Sequence, residues 1–201
     1  MILQIYREHV KAGCEADYAS LEQETARVAM VLRCPNPYLA AESLTGPKVV
    51  WWFNAYESAE AQKRVALDYM KNAPLMDQLQ RNSARKVPWT YDASDVFAYV
   101  RPQASTGAAW EPGQGRYLSI TESTGSDRVS TGTVFETPDG LRFVIAAFAT
   151  RAEANVHSPR AHLLAVRPEW SFPSRRWIDA DPQFWAVQRP SRVLVRPRPS
   201  R

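Results

Sequence analysis

The sequence predicts an α+β fold of two similar halves, each a small antiparallel sheet with helices on one face, and two observations carry that expectation. The first is an internal echo. Glu42-Ser43-Leu44-Thr45-Gly46 followed by Lys48-Val49-Val50 returns as Glu136-Thr137-Pro138-Asp139-Gly140 followed by Arg142-Phe143-Val144, and both stretches read as β-hairpins. Each hairpin runs into a helix start, Ser58-Ala59-Glu60-Ala61 and Arg151-Ala152-Glu153-Ala154, at an offset of 93 to 94 residues. The second observation is the order of periodicities over residues 1–102, which spells βαββαβ, a ferredoxin-like unit.

Taken in order, Ile2 to Arg7 reads as a first strand, ended by Ala12-Gly13. Tyr18, Leu21, Thr25, Val28 and Leu32 then recur at helical spacing, while Glu15, Asp17, Glu22, Glu24 and Arg27 are read as pointing away from that stripe. Cys34-Pro35-Asn36-Pro37 stops this helix. Tyr38 to Leu44 and Lys48 to Tyr56 follow as strands around Thr45-Gly46-Pro47. Ser58 is a suitable N-cap for a second helix, which Asn72-Ala73-Pro74 interrupts and restarts. Asp95 to Val100 closes the unit.

Residues 103–115 are rich in Pro, Gly, Ser and Thr and read as a linker to a second, degenerate unit at 116–201. Tyr117 to Ile120 echoes the first strand, but Ile120 lies too close to Glu136 for a helix to intervene. The second unit is therefore expected to lack its first helix. Phe184 to Arg189 echoes the later helix and Ser191 to Leu194 the fourth strand, which leaves a Trp/Pro-rich insertion at about 155–180, read as an irregular cover. With one sheet face thinly covered, a homodimer contact is expected there.

Composition excludes several classes. The net charge is +4, but five arginines and no acid lie within residues 189–201, so removing that segment takes the rest to −1. Basicity confined to one end is not a nucleic-acid face. There is no run of about 18 apolar residues and no signal-peptide pattern, so a cytosolic protein without a membrane partner is expected. Cys14 and Cys34 flank a helix too long for them to pair across, and both are expected to be reduced. No phosphate-cradling glycine loop, Gly-x-Ser-x-Gly elbow or Cys-x-x-Cys pair is present, so no cofactor and no metal is expected.

The segment Ile5-Tyr6-Arg7-Glu8-His9-Val10-Lys11-Ala12-Gly13, the helix after it, and the Ser43-Leu44-Thr45-Gly46-Pro47 hairpin leading into Trp51-Trp52 resemble the dimeric α/β-barrel superfamily. Antibiotic-biosynthesis monooxygenases and NIPSNAP-type domains belong to it. The resemblance covers residues 1–102 directly and the rest through the internal echo. It implies two ferredoxin-like sheets facing each other as a barrel whose interior holds the ligand, closed within one chain in tandem members. The haem-degrading branch uses an Asn on the first strand, a Trp on the third and a His on the second helix. This chain offers Gln4, then Trp51 or Trp52, and no His between Ser58 and Arg85, so that template is met only in its Trp.

Among residues able to carry chemistry, His9 ends the first strand, where an imidazole serves either as a general base or as a strand-end hydrogen-bonding group. Glu42 is either a base among apolar neighbours or a structural partner of Lys48. A two-residue turn at Thr45-Gly46 would set it opposite Val49. The third strand splits into an apolar face, Val49, Trp51, Phe53 and Ala55, and a mixed face, Val50, Trp52, Asn54 and Tyr56. The mixed face is expected to line the barrel, with Trp52, Asn54 and Tyr56 as substrate-binding residues and His9 and Glu42 as candidate catalytic residues. Asn54 either anchors a ligand or bonds a neighbour in the core.

The leading functional expectation is a protein binding a small apolar or aromatic ligand and oxidising it without a cofactor, as a monooxygenase. Two alternatives stand beside it. One is a non-enzymatic binding or interaction module; the other is haem or metal binding through His9, His157 or His162.

Overall fold

A computed structural model of the chain describes residues 1–106, 109–124, 131–157 and 161–188. Its first four strands are β1 (Ile2–Val10), β2 (Leu39–Ser43), β3 (Val49–Tyr56) and β4 (Thr90–Val100). They are followed by β5 (Tyr117–Ser123), β6 (Thr133–Glu136), β7 (Arg142–Phe148) and β8 (His162–Val166). All pairings are antiparallel, and the eight strands close into a barrel in the order β1-β3-β2-β8-β5-β7-β6-β4. Each run of four strands has the ferredoxin-like order fourth, first, third, second. The α+β barrel architecture expected from the sequence is the one observed.

Helices cover the outside of the first four strands. Helix α1 (Glu15–Val31) begins with Glu15 and Asp17 in its first turn, where carboxylates meet the positive end of the helix dipole. Helix α2 (Ala59–Lys71) is capped by Ser58, whose Oγ accepts from the Ala61 amide at 3.2 Å. Asn72 ends α2 and caps α3 (Ala73–Lys86), with Pro74 in the first turn where its missing amide costs nothing. Helix α4 (Arg151–His157) crosses β5 and β7, and α5 (Arg175–Ala180) follows β8. Only residues 124–132 separate β5 from β6. A counterpart of the 17-residue α1 has no room there.

The insertion read as irregular cover over 155–180 contains β8, which pairs with both β2 and β5 and completes the barrel. After it, Pro168–Trp170 forms a 3-10 turn that folds back over the outer face of β2. Ser171 Oγ accepts from the Ala40 amide at 2.9 Å and donates to the Arg167 carbonyl at 2.7 Å. The echo had pointed to Ser191 to Leu194 for the last strand; those residues lie outside the described ones, and the position is filled by His162–Val166.

Among the described residues, side chains pack the barrel interior. Leu3, Ile5, Leu39, Phe53, Leu118, Ile120, Phe135, Phe143, Ile145 and Leu164 are fully buried in one cluster. Eight strands enclose a lumen just wide enough for side chains to fill it. Trp51 stacks on Phe53 at 6.2 Å within this core, and Trp110, Trp185 and partly buried Trp177 close one end. The expectation that Trp52, Asn54 and Tyr56 line the barrel is therefore inverted. Val49, Trp51, Phe53 and Ala55 face inward, while Trp52 packs outward with Tyr18 and Trp170.

Candidate functional site

Because β1 and β3 turn their alternate residues outward together, Gln4 and Tyr6 stand beside Asn54 and Trp52, their register partners. Helices α1 and α3 roof this strip. They leave a cavity of about 320 Å³ between sheet and helices. Tyr6, Tyr38, Trp52 and Tyr69 give it aromatic walls, Gln4 and Asn54 a polar strip, and Glu22 and Lys86 a charged group. Asp95 also lines it, as an exposed residue.

Glu22, read as pointing away from the apolar stripe, is only 3% exposed. The buried stripe of α1 is Tyr18, Leu21, Glu22, Ala26 and Ala29. Tyr18, Glu22 and Ala26 follow one another at spacings of four and so share the buried face of the helix. Val28, assigned to the stripe, is only half-buried.

Two carboxylates and one ammonium are held together here. Glu8, 5% exposed, accepts from Tyr6 Oη and Tyr18 Oη, both at 2.6 Å, and from Lys86 Nζ at 3.0 Å. Lys86 Nζ also lies 3.1 Å from Glu22 Oε1 and 4.9 Å from the centre of the Trp52 ring. The buried Lys86–Glu22 ion pair is what holds Glu22 Oε1 in place. Glu8 is thus the satisfied structural acid. Glu22 is the one that lines the cavity.

The electrostatics follow from that arrangement. Burial raises the Glu22 carboxyl above its usual range; Lys86 offsets part of this, and Glu8 adds to it. Burial alone would lower the Lys86 ammonium, but Glu22 and Glu8 outweigh it and raise it. A raised ammonium is fully charged and is no nucleophile. Burial, with the Glu8 and Glu22 carboxylates, also pushes the Tyr6 and Tyr18 phenols well above their ordinary value. Burial, aided by Asp95, takes Tyr56 up to about 12.

A carboxyl raised in the folded state binds a proton that the unfolded chain has released, so its contribution to stability declines as pH rises from the ordinary value of 4.5 through the folded one. Glu22→Gln is therefore expected to abolish that decline and to match or exceed wild-type stability above neutral pH. Denaturant titrations at pH 5 and pH 8 measure this. An unchanged pH slope in the variant would remove Glu22 as the titrating group.

The predicted substrate-binding residues meet at this outer cleft and its border. Trp52 and Asn54 line it. Asn54 makes two long hydrogen bonds, from Asn36 Nδ2 at 3.4 Å and to Gln4 Oε1 at 3.5 Å, so its amide is weakly held. Tyr56 donates to Gln4 Oε1 at 3.1 Å at the edge of the strip.

The two predicted catalytic residues do not join them. Glu42 faces Val50, not Val49, because Ser43 Oγ accepts from the Val49 amide at 2.9 Å and donates to the Pro47 carbonyl at 2.8 Å, lengthening the turn around Gly46 (φ +72°). Its carboxylate pairs with Lys48 and, at 2.5 Å, with Arg167. That arrangement supports the structural alternative. His9 lies on the inward face of β1 at the barrel's other end, with Nδ1 3.2 Å from Tyr91 Oη. At this mouth Arg7 bridges to Glu122 at 2.6 Å, and β1 and β5 are opposite in the strand order, so the pair spans the lumen. His162 Nε2 lies 3.5 Å from the same Glu122 carboxylate. The side chain of His157 lies outside the described residues.

No family model and no curated protein matches the sequence. Among solved structures, the chain is similar to an uncharacterized NIPSNAP domain protein from Burkholderia xenovorans, at TM-score 0.38 and 17% identity over 56% of this chain and 99% of that one. It is similar to a candidate monooxygenase from Lactobacillus acidophilus NCFM, at TM-score 0.48 and 8% identity over 91% and 88% of the two chains. Another candidate monooxygenase, from Fusobacterium nucleatum subsp. nucleatum, gives TM-score 0.46 and 8% identity over 86% and 92%. At these scores the likenesses carry no functional inference. No helix among the described residues is long and apolar enough to cross a membrane.

Proposed function

We propose that this chain is a small-molecule-binding α/β-barrel protein whose ligand, an aromatic molecule with a weakly acidic proton, occupies the cleft between the sheet and helices α1 and α3. The observation that carries this reading is Glu22: a buried carboxylate, paired with Lys86 at 3.1 Å, that lines an aromatic-walled cavity of about 320 Å³. A cavity of that size and lining suits a compact aromatic ligand. A buried carboxylate whose proton affinity is raised is a capable base, and the fixed ammonium beside it stabilises the anion that proton removal creates.

Cofactor-independent oxidation is the chemistry that such an anion serves. Once deprotonated, an electron-rich aromatic reacts with oxygen directly. An activated ring methylene then becomes a carbonyl, CH2 + O2 giving C=O + H2O, with the substrate supplying all the electrons. Glu22 takes the initial proton, and Trp52 and Tyr38 hold the ring.

Oxygen uptake across a panel of phenolic and polycyclic compounds tests the reading. Wild type should consume oxygen with at least one of them and Glu22→Gln should not. Binding without uptake would favour the non-enzymatic module. Equal uptake by both proteins would sink the assignment of Glu22. By ligand titration, Asn54→Ala should weaken binding about 2- to 13-fold, the value of one hydrogen bond of ~0.5–1.5 kcal/mol, while the melting temperature stays within a few degrees. Equal losses of stability and binding would make Asn54 a core residue instead.

A further inference from the structure

We infer that residues 191–196, Ser-Arg-Val-Leu-Val-Arg, dock on the free edge of β4 as one more antiparallel strand. The inference does not depend on the ligand reading of the cleft.

The edge is defined by the main chain. Strand β4 pairs with β1 from Tyr99 back to Thr90, with a bulge at Tyr91, but β6 meets it only at Tyr99 and Val100. The Val100 amide donates to the Met1 carbonyl at 3.1 Å, on the β1 side, and the Arg101 amide donates to the Val134 carbonyl at 2.8 Å, on the β6 side. Main-chain groups alternate sides along a strand, so Ala93, Asp95 and Phe97 turn theirs to the side that β6 does not cover. The N–H and C=O groups of these residues have no backbone partner there among the described residues. Ala93 and Asp95 are also exposed. An open edge of this kind recruits another strand.

The chain holds a strand pattern that the barrel does not use. Arg192, Leu194 and Arg196 alternate with Val193 and Val195 between Pro190 and Pro197, which is a short strand with proline stops. The internal echo gave this segment the place of a last strand, and His162–Val166 occupies that place. Residues 191–196 lie outside the described ones. Charge and reach commit them to β4. Strand β4 carries Asp92 and Asp95 and no cation, whereas residues 189–201 hold five arginines and no acid. Trp185, three residues before Gln188, is buried at the tryptophan-closed end of the barrel, where β4 finishes at Val100. Residues 189–201 span up to roughly 45 Å when extended. A segment leaving that end along β4 runs antiparallel to it, the sense of every pairing in the barrel. With its arginines outward it sets them beside Asp95 and turns its valines to the side of Val96. Because Asp95 also lines the cleft, the docked segment forms part of the cleft's outer rim.

Amide hydrogen exchange of the full chain, read residue by residue by NMR, tests the docking. The Ala93, Asp95 and Phe97 amides should exchange at least about tenfold more slowly than unstructured amides. Ser94, Val96 and Ala98, whose amides face β1, are the internal controls. Adjacent strand residues turn their amides to opposite sides, so one of Val193→Pro and Leu194→Pro must remove a bond to β4. In that variant the three edge amides should lose their protection while the controls stay slow. Unprotected Ala93, Asp95 and Phe97 in wild type overturn the proposal. Protection that survives both proline variants means that a different segment covers the edge, and overturns it as well. Protection that grows with protein concentration assigns the edge to a second copy of the chain and overturns docking within one chain.

Discussion

Glu8→Ala is expected to destabilise the protein by about 3–5 kcal/mol, the usual cost of breaking a buried ion pair from one side. The carboxylate removed accepts three hydrogen bonds, from Tyr6, Tyr18 and Lys86, and its loss strands two phenols and part of an ammonium. Tyr18 is 1% exposed, so water cannot replace the acceptor at its hydroxyl. Glu8→Gln keeps an acceptor for one phenol and should cost about half as much. Equilibrium denaturation in urea measures both. A loss below about 1 kcal/mol for the alanine variant would mean that the network relaxes freely and does not position Glu22.

Trp51→Ala should cost about 3–5 kcal/mol, as large-to-small changes at buried aromatic sites do. The indole is 1% exposed, stacks on Phe53, and lies beneath Arg7 with the guanidinium carbon 5.0 Å from the ring centre. It faces the packed lumen, on the other side of the sheet from the cleft. Ligand affinity in the folded variant should therefore stay within about twofold of wild type, ~0.4 kcal/mol. The comparison separates the two sites the strand could have offered. If Trp51→Ala retains full stability and alters binding, the ligand lies inside the barrel and the outer cleft is not the site.

The inversion of β3 has a physical cause. Period-two alternation identifies a strand's core face only when the other face is polar. Here both faces are covered, one by the opposite side of the barrel and one by helices, so Trp51 and Trp52 are both buried and the sequence holds no contrast between them. Glu22 was hidden for a related reason. An acid on a helix reads as solvated unless its partner is known, and the pairing that buries it runs through Lys86 on α3, whose other acid, Glu8, is 78 residues away in the chain. The position of β8 was obscured because His162-Leu163-Leu164-Ala165-Val166 lies in a proline-rich stretch and is too short to show a period.

By itself the sequence determined the local matters: the strand and helix order of residues 1–102, the break at Asn72-Pro74, the lack of room for a helix between β5 and β6, and a hairpin strand carrying aromatic and amide groups. These follow from propensity, capping and spacing, which act over a few residues. Tertiary structure alone decided which face of that strand met the core, where the last strand closed the barrel, and which acid of α1 was buried in the cleft. Closure brings Glu42 to Arg167 across 125 residues of chain, and packing of α1 and α3 brings Glu22 to Lys86. No local pattern encodes such meetings, because burial and charge pairing depend on which surfaces the whole chain brings together.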